Sequence, residues 1–289
     1  MRVAERTVTA PRGARVAVRE HLPEGPADGP TVVLAHGWCL TGASWRPVVE
    51  ELQRRRPGTR VVTYDQPGHG ASTLGRGQPE LTDLGATLDA VLEQVTPDEE
   101  VVLGGHSMGG MTVMAFVGAH PEIVRERVRG VALVGTAADL TLRRALRGEG
   151  VVMALLRRVP EGRGGLPQPD GMTRRSVFGA DPDPADVRTV ARMIRATPLR
   201  TVGVYFAAMG RMALLPGLVH LEGVPTVVLT GRRDRLTPVS WGRRMAAAIP
   251  GVTMWVLPGK GHMLAYEATG TVVDRLETLL DSPACSTRR

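Results

Sequence analysis

A serine flanked by glycines gives the strongest chemical signal in the sequence. The segment Gly105-His106-Ser107-Met108-Gly109 follows a short apolar run, residues 101–104, and precedes an apolar stretch rich in small residues, 108–119. A serine in a tight strand-to-helix turn, with glycine two positions to either side, presents its hydroxyl above the sheet edge. The N-terminus of the following helix favours developing negative charge. The pattern predicts that Ser107 is a nucleophile, and a glycine-rich turn without chemistry is the alternative.

Two residues further along the chain have the types that would activate such a serine. A serine hydroxyl needs a base, and the base needs a group that orients it. Asp234 and His262 each follow a short apolar run, residues 226–230 and Thr253–Leu257. If these runs are parallel strands, their carboxyl ends share one edge of a sheet, where open α/β sheets place their sites. We predict that His262 takes the proton of Ser107 and that Asp234 holds the imidazole.

Each of these assignments has an alternative. Asp234 is flanked by three arginines, so a surface ion pair is a second interpretation. Asp139, which follows the apolar run 131–135, is an alternative acid. A lone histidine in a glycine loop, such as His262, is otherwise an exposed loop residue.

The segment His36-Gly37-Trp38, at the end of the apolar run Thr31–Ala35, supplies a further element. A tetrahedral intermediate of acyl transfer needs two backbone N–H donors for its oxyanion. We expect one from Met108, the residue after the serine, and one from Trp38. His36 is interpreted as a structural anchor of the loop, and the neighbouring Cys39 as a small packed side chain.

Apolar runs that alternate with helical patterns would position these residues. Continuous runs of this length are typical of parallel strands buried on both faces. Residues 82–95 have apolar side chains on one helical face, and Thr237 before Pro238 predicts the N-cap and first turn of a helix that reaches residue 249. The alternation predicts an α/β fold with a mostly parallel central sheet and helices on both faces. The predicted strands are residues 3–9, 15–21, 31–35, 60–64, 101–104, 131–135, 226–230 and 253–257.

One long segment interrupts this alternation. Residues 136–223 have no convincing strand and show helical patterns near 140–159, 186–196 and 201–215, with a Pro/Gly-rich stretch at 160–184. We predict a helical cap at 136–223 and a core domain formed by 1–135 and 224–289. Apolar cap residues are candidates for the lining of a substrate pocket, although the cap's own core is the alternative role for each of them. These candidates are Phe178, Tyr205, Phe206 and Met209.

Composition excludes several classes of protein. Apolar residues make up 43% of the chain and charged residues 22%, an ordinary globular balance. The net charge is +7, but the arginines are dispersed and aromatic residues are only 3%, so we expect no nucleic-acid binding. Two cysteines, Cys39 and Cys285, are too few for a disulfide framework or a zinc site. With no signal core and no apolar run of about 18 residues, the expectation is a soluble, cytoplasmic protein without a membrane span.

Taken together, five motifs resemble those of the α/β-hydrolase superfamily. They are His36-Gly37-Trp38, Asp65-Gln66-Pro67-Gly68-His69-Gly70, residues 105–110, residues 231–234 and Gly261-His262. The chain is similar to actinobacterial hydrolases with a helical cap and to cofactor-free haloperoxidase-like esterases. The resemblance implies a Ser–His–Asp acyl hydrolase that uses no cofactor or metal, and it makes residues 65–70 a structural turn.

The nature of the nucleophile narrows the expected chemistry. Members of this superfamily that form alkyl-enzymes have aspartate where this chain has Ser107, so attack on a carbonyl is favoured. We predict hydrolysis of an ester, thioester or lactone of a mainly apolar small molecule through an acyl-enzyme. Two alternatives remain: acyl transfer, cyclisation or perhydrolysis by the same triad, and a non-hydrolytic lyase or cyclase on the same fold. The sequence carries no signal for an oligomeric state.

Overall fold

A single sheet of eight strands forms the centre of the molecule. A computed structural model describes residues 2–140, 149–160, 162 and 164–283. The strand order is β1-β2-β4-β3-β5-β6-β7-β8; β1 pairs antiparallel with β2, β2 antiparallel with β4, and all other pairs are parallel. The mostly parallel sheet predicted from the sequence is thereby confirmed. The strands are β1 Arg2–Ala10, β2 Ala14–Leu22, β3 Thr31–Ala35, β4 Val61–Tyr64, β5 Val101–His106, β6 Val128–Val134, β7 Thr226–Gly231 and β8 Thr253–Leu257.

Helices cover both faces of this sheet. The alternation of side chains along β3 shows the two layers, because successive residues of a strand point to opposite faces. Val33 belongs to a buried cluster with the helices at 81–95 and 108–119, whereas Leu34 belongs to a second cluster with the helices at 46–55 and 269–280. The helices are α1 Arg46–Arg55, α2 Leu81–Val95, α3 Met108–Ala119, α4 Pro121–Arg127, α5 Glu149–Leu156, α6 Asp170–Val177, α7 Pro184–Ala196, α8 Leu199–Met209, α9 Val239–Ala248, α10 Leu264–Glu267 and α11 Thr269–Leu280.

The segment between β6 and β7 contains helices α5 to α8. Its Pro/Gly-rich stretch includes α6, whose N-cap is Pro169 and whose first turn carries Asp170. A proline fixes φ ahead of the helix, and an acidic residue in the first turn complements the helix dipole. Residues 141–148 of the first predicted cap helix, and Cys285, lie outside the described residues. The division into a core and a cap at 136–223 stays a prediction.

No helix in the described part of the chain has the length and apolar character needed to cross a membrane. The hairpin of β1 and β2, which turns at Pro11–Gly13, forms one edge of the sheet. All the motifs singled out above fall at the carboxyl ends of β3 to β8, where the loops from neighbouring parallel strands meet.

Candidate active site

Ser107 occupies a strained turn between β5 and α3. Its backbone has φ 53° and ψ −119°, values that a residue with a side chain rarely adopts. A Cβ added to Gly105 would collide with the main chain of Gly109, and one added to Gly109 would collide with the Ala35 carbonyl. The two glycines of the motif are therefore required by close backbone packing. The Ser107 N–H donates to the Val134 carbonyl at 3.0 Å, which ties the turn to β6.

His262 and Asp234 form a buried pair. The Nδ1 atom of His262 lies 2.8 Å from Oδ2 of Asp234, and the two residues are only 4% and 5% exposed. The other carboxylate oxygen of Asp234 accepts the N–H groups of Leu236 and Thr237, each at 2.8 Å. Among the described residues, the hydrogen-bond partners of the Asp234 carboxylate are Leu236, Thr237 and His262. Asp234 therefore does not form the alternative surface ion pair with its flanking arginines.

The alternative acid is engaged elsewhere. Oδ2 of Asp139 accepts a hydrogen bond from Nη2 of Arg244 at 2.9 Å, on α9. The carboxylate that accepts the hydrogen bond from Nδ1 of His262 is that of Asp234.

Two opposing effects act on the ionisation of Asp234. Burial by itself would raise the pKa of this carboxyl group. The charge of His262 and the hydrogen bonds from His262 and Thr237 outweigh burial, and the pKa of Asp234 lies below its ordinary value. Asp234 is therefore an anion at neutral pH and can stabilise positive charge on the imidazole.

Thr237 has a different role from the one predicted. The sequence predicts Thr237 as the N-cap of a helix, but α9 is Val239–Ala248 with Pro238 as its N-cap and no side-chain cap. The Thr237 hydroxyl instead donates to Oδ2 of Asp234 at 2.7 Å and lies 3.2 Å from Nδ1 of His262. The buried carboxylate is a charged acceptor for the hydroxyl proton, so the Thr237 side chain donates to Asp234. The signal that sequence reasoning missed is a threonine three residues after the acid.

Ser107 and His262 line the same small cavity. The cavity has a volume of about 190 Å³. Its lining is mainly apolar, and none of the described residues that line it is Asp, Glu, Lys or Arg. The apolar members are Trp38, Leu40, Leu166, Val177, Val190, Ile194, Leu236 and Met263, and the polar side chains besides Ser107, His106 and His262 are Gln168 and Ser176. The space beside Ser107 suits a small, uncharged, largely apolar group.

The four residues predicted to line a substrate pocket are not among those that line this cavity. Tyr205 and Met209 are buried in the large cluster that includes α2 and α3, and Phe178 packs in a smaller cluster between α6 and α7. Phe206 is nearer to the site, because its ring centroid lies 6.1 Å from that of Trp38. The inner face of α8 packs against the core, which explains why its apolar residues do not lie along the cavity.

Of the two residues predicted to supply amides for the oxyanion, Met108 follows Ser107 in the chain and Trp38 lines the same cavity. Met108 is the first residue of α3, so its N–H has no acceptor within the helix. Trp38 lines the cavity, and its N–H makes no hydrogen bond to another described residue. Cys39 lines the same cavity, is buried with φ 60°, and has a thiol pKa raised by burial. The assignment of the two amides to an oxyanion stays a prediction.

Three further histidines are fully buried and form hydrogen bonds with the main chain of the loops around Ser107. Nε2 of His36 accepts the Gln66 N–H at 2.8 Å, and Nε2 of His69 accepts the Cys39 N–H at 3.3 Å. Nε2 of His106 lies 2.9 Å from the His262 carbonyl, so this nitrogen must carry the proton. Burial lowers the pKa of all three, to about 3 for His69 and His106. His36 is thus a loop anchor, as the sequence suggested.

These buried histidines predict a loss of stability in acid. A histidine with a lowered folded-state pKa takes up its proton first in the unfolded chain, near pH 6.5. Stability is therefore fully present above pH 6.5 and decreases as the pH falls towards about 3, by up to about 1.4 kcal/mol per pH unit for each histidine. Urea unfolding at pH 7, 6, 5 and 4 measures this slope.

The contribution of one histidine can be isolated. In His106→Gln the amide keeps a donor for the His262 carbonyl but does not titrate. The slope of the unfolding free energy against pH should therefore decrease between pH 6 and 4 by the contribution of one proton, about 1.4 kcal/mol per pH unit. A slope identical to that of the parent protein would show that His106 does not drive the acid sensitivity.

Comparison with known proteins identifies the family of this chain. The family model described as alpha/beta hydrolase fold matches residues 30–269. An uncharacterised protein of Mycobacterium tuberculosis is 26% identical over 268 residues, which cover 88% of this chain and 76% of that protein. A pimeloyl-[acyl-carrier protein] methyl ester esterase of Chromobacterium violaceum is 28% identical over 273 residues, 87% of this chain and 96% of its own.

Solved structures agree at the level of the fold. A thermophilic esterase from Thermogutta terrifontis has a TM-score of 0.75 and 23% sequence identity, covering 96% of this chain and 99% of that one. The resemblance seen in the sequence motifs is confirmed, and the chain belongs to the alpha/beta hydrolase family.

Proposed function

We propose that this protein is a serine ester hydrolase that acts through an acyl-enzyme on Ser107. The observation that carries the proposal is the buried 2.8 Å hydrogen bond between His262 Nδ1 and Asp234 Oδ2, beside a cavity that Ser107 and His262 both line. A histidine held in this way by an anionic acid has its Nε2 free to accept a proton. The similarity to a methyl ester esterase favours an ester as the substrate.

The reaction follows from the roles of these groups. Oγ of Ser107 attacks the ester carbonyl while Nε2 of His262 takes the hydroxyl proton, and Asp234 stabilises the resulting imidazolium. The N–H groups of Trp38 and Met108 stabilise the tetrahedral oxyanion. When the C–O bond to the alcohol breaks, His262 gives its proton to the leaving alcohol. Water then repeats the sequence on the acyl-enzyme and releases the acid.

The cavity limits the group that enters beside Ser107. A volume of about 190 Å³ is below the roughly 300–1,000 Å³ of sites for drug-sized ligands. The described residues that line the cavity include no Asp, Glu, Lys or Arg. The cavity therefore offers no oppositely charged partner to an ionised substrate group, and burial of such a group would be unfavourable. We expect a short, uncharged acyl or alcohol group.

A series of p-nitrophenyl esters from acetate to decanoate tests this expectation. We expect kcat/KM to be highest for short acyl chains and to fall once the chain exceeds the cavity, with no turnover above background in Ser107→Ala. A maximum at the longest chains would contradict the size limit.

The same assay separates the alternatives. Product analysis with added alcohol or peroxide measures how the acyl group divides between water and other acceptors, and a predominance of transfer would replace hydrolysis as the reaction. A Ser107→Ala variant that kept its activity on a natural substrate would instead favour a non-hydrolytic role.

A further inference from the structure

The loop that carries His262 is held by one carboxylate. We call residues 259–263 the histidine loop. Glu267, on the following helix α10, accepts hydrogen bonds from the N–H groups of Gly261 at 3.0 Å and Met263 at 3.0 Å, on either side of His262. Its Oε2 atom also accepts the N–H of Gly179 at 2.7 Å, from the segment between β6 and β7. All its hydrogen bonds to described residues come from main-chain amides.

The segment that contributes Gly179 runs alongside the histidine loop. We call residues 177–180 the anchoring segment. The N–H of His262 donates to the Val177 carbonyl at 2.8 Å, and the N–H of Ala180 donates to the Gly259 carbonyl at 2.7 Å. Val177 also lines the cavity beside Ser107. The anchoring segment thus connects the wall of the cavity to the main chain of His262.

Glycines allow this close approach. A Cβ added to Gly179 would lie 2.6 Å from the Gly261 nitrogen, closer than real Cβ contacts. A Cβ on Gly261 would collide with the Gly179 nitrogen, and one on Gly231 would collide with the Gly261 carbonyl. The three chain segments are in direct backbone contact, so a displacement of one moves the others.

A local helix cap does not account for this arrangement. The Met263 N–H lies at the start of α10 and is an ordinary partner for a carboxylate four residues later. The Gly261 amide precedes the helix, and the Gly179 amide comes from a distant part of the chain. A carboxylate that only capped α10 would need neither of them.

We propose that Glu267 is a positioning residue, which fixes the histidine loop on both sides of His262 and joins it to the anchoring segment, so that the imidazole is held towards Ser107. The inference rests on the proposed function, because it assumes that His262 acts as the base. Without the carboxylate, three amides lose their acceptor and the loop gains freedom. A small displacement of a catalytic group costs about 10²-fold in rate.

The test compares two variants at Glu267 with a matched control. Glu267→Ala should lower kcat by about 10- to 100-fold with KM changed by less than about 3-fold. Glu267→Gln keeps one carbonyl acceptor and should recover part of the loss. The control is Glu20→Ala, which removes a buried carboxylate paired with Arg60 near the amino end of β4, away from the site, and should leave kcat unchanged.

The outcomes distinguish positioning from general stability. A Glu267→Ala variant that is folded and has an unchanged kcat, or an effect confined to KM, would overturn the proposal. So would an equal loss of kcat in Glu20→Ala, because the loss would then follow stability alone.

Amide hydrogen exchange of residues 259–263 provides a readout that does not depend on activity. Exchange should accelerate in Glu267→Ala but not in Ser107→Ala or Glu20→Ala. If the parent protein shows no Ser107-dependent hydrolysis, the proposed function fails, and accelerated exchange still supports the hold of Glu267 on the loop. Unchanged exchange in Glu267→Ala would overturn that hold.

Discussion

Ser107→Ala is expected to lower kcat on an ester substrate by about 10⁴-fold or more while the protein stays folded. The substitution removes the only atom that forms the acyl-enzyme in the proposed mechanism, and it leaves the His262–Asp234 hydrogen bond in place. Steady-state kinetics with a short p-nitrophenyl ester measures the effect, and circular dichroism checks the fold. Retention of more than about a tenth of the parent kcat would be incompatible with Ser107 as the nucleophile.

Ser107→Gly is the matched variant for this experiment. Glycine lacks the hydroxyl too, but it adopts the φ of 53° and ψ of −119° without the Cβ that makes this conformation costly. Glycine releases about 1–3 kcal/mol of backbone strain in the folded state. This gain is larger than its cost in chain entropy, which is about 0.5–1 kcal/mol. We therefore expect Ser107→Gly to be as inactive as Ser107→Ala and more stable to urea. A less stable glycine variant would show that the turn is not strained.

Asp234→Asn should have the second-largest effect, a fall in kcat of about 10³- to 10⁴-fold. The asparagine carbonyl can still accept the N–H groups of Leu236 and Thr237, so the loop keeps its shape. Its amide then faces Nδ1 of His262 as a donor, which moves the ring proton to Nε2. An imidazole in that tautomer cannot accept the proton of Ser107. Kinetics and a urea unfolding curve on the same preparation measure activity and stability together.

Asp139→Asn is the control for charge and position. Asp139 also follows a strand of the sheet, and its carboxylate is paired with Arg244 on α9. We expect kcat of Asp139→Asn to stay within about 2-fold of the parent value, because the substitution leaves the hydrogen bond between Asp234 and His262 in place. A large loss in Asp139→Asn together with a small one in Asp234→Asn would reverse the assignment of the acid.

The sequence predicts well those features that depend on backbone pattern. Continuous apolar runs predict the six strands β3 to β8, because a parallel strand covered on both faces needs apolar residues throughout. The glycines around Ser107 predict a tight turn, because only glycine fits where two backbones touch. Asp234 could be placed opposite His262 since both follow neighbouring parallel strands.

Features that depend on three-dimensional contact were missed. Thr237 was interpreted from its local sequence as a helix cap, although its hydroxyl bonds to Asp234 across a turn. Glu267 gave no signal, because all three of its partners are main-chain amides, which any residue except proline could provide. Tyr205 and Met209, predicted to line a substrate pocket, lie in the buried core for a related reason: an apolar helix face has the same pattern whether it meets a ligand or the core.

The glycine contacts at Gly179, Gly231 and Gly261 have a consequence for protein engineering. They hold the middle of the segment between β6 and β7 against the loops after β7 and β8 by close main-chain packing, with no room for a methyl group on any of the three. A chimaera that places the segment between β6 and β7 on the sheet of another family member must therefore also carry the loops after β7 and β8, with Gly231 and Gly261. Libraries meant to alter substrate preference are better directed at side chains that line the cavity, such as those of Leu236 and Ile194.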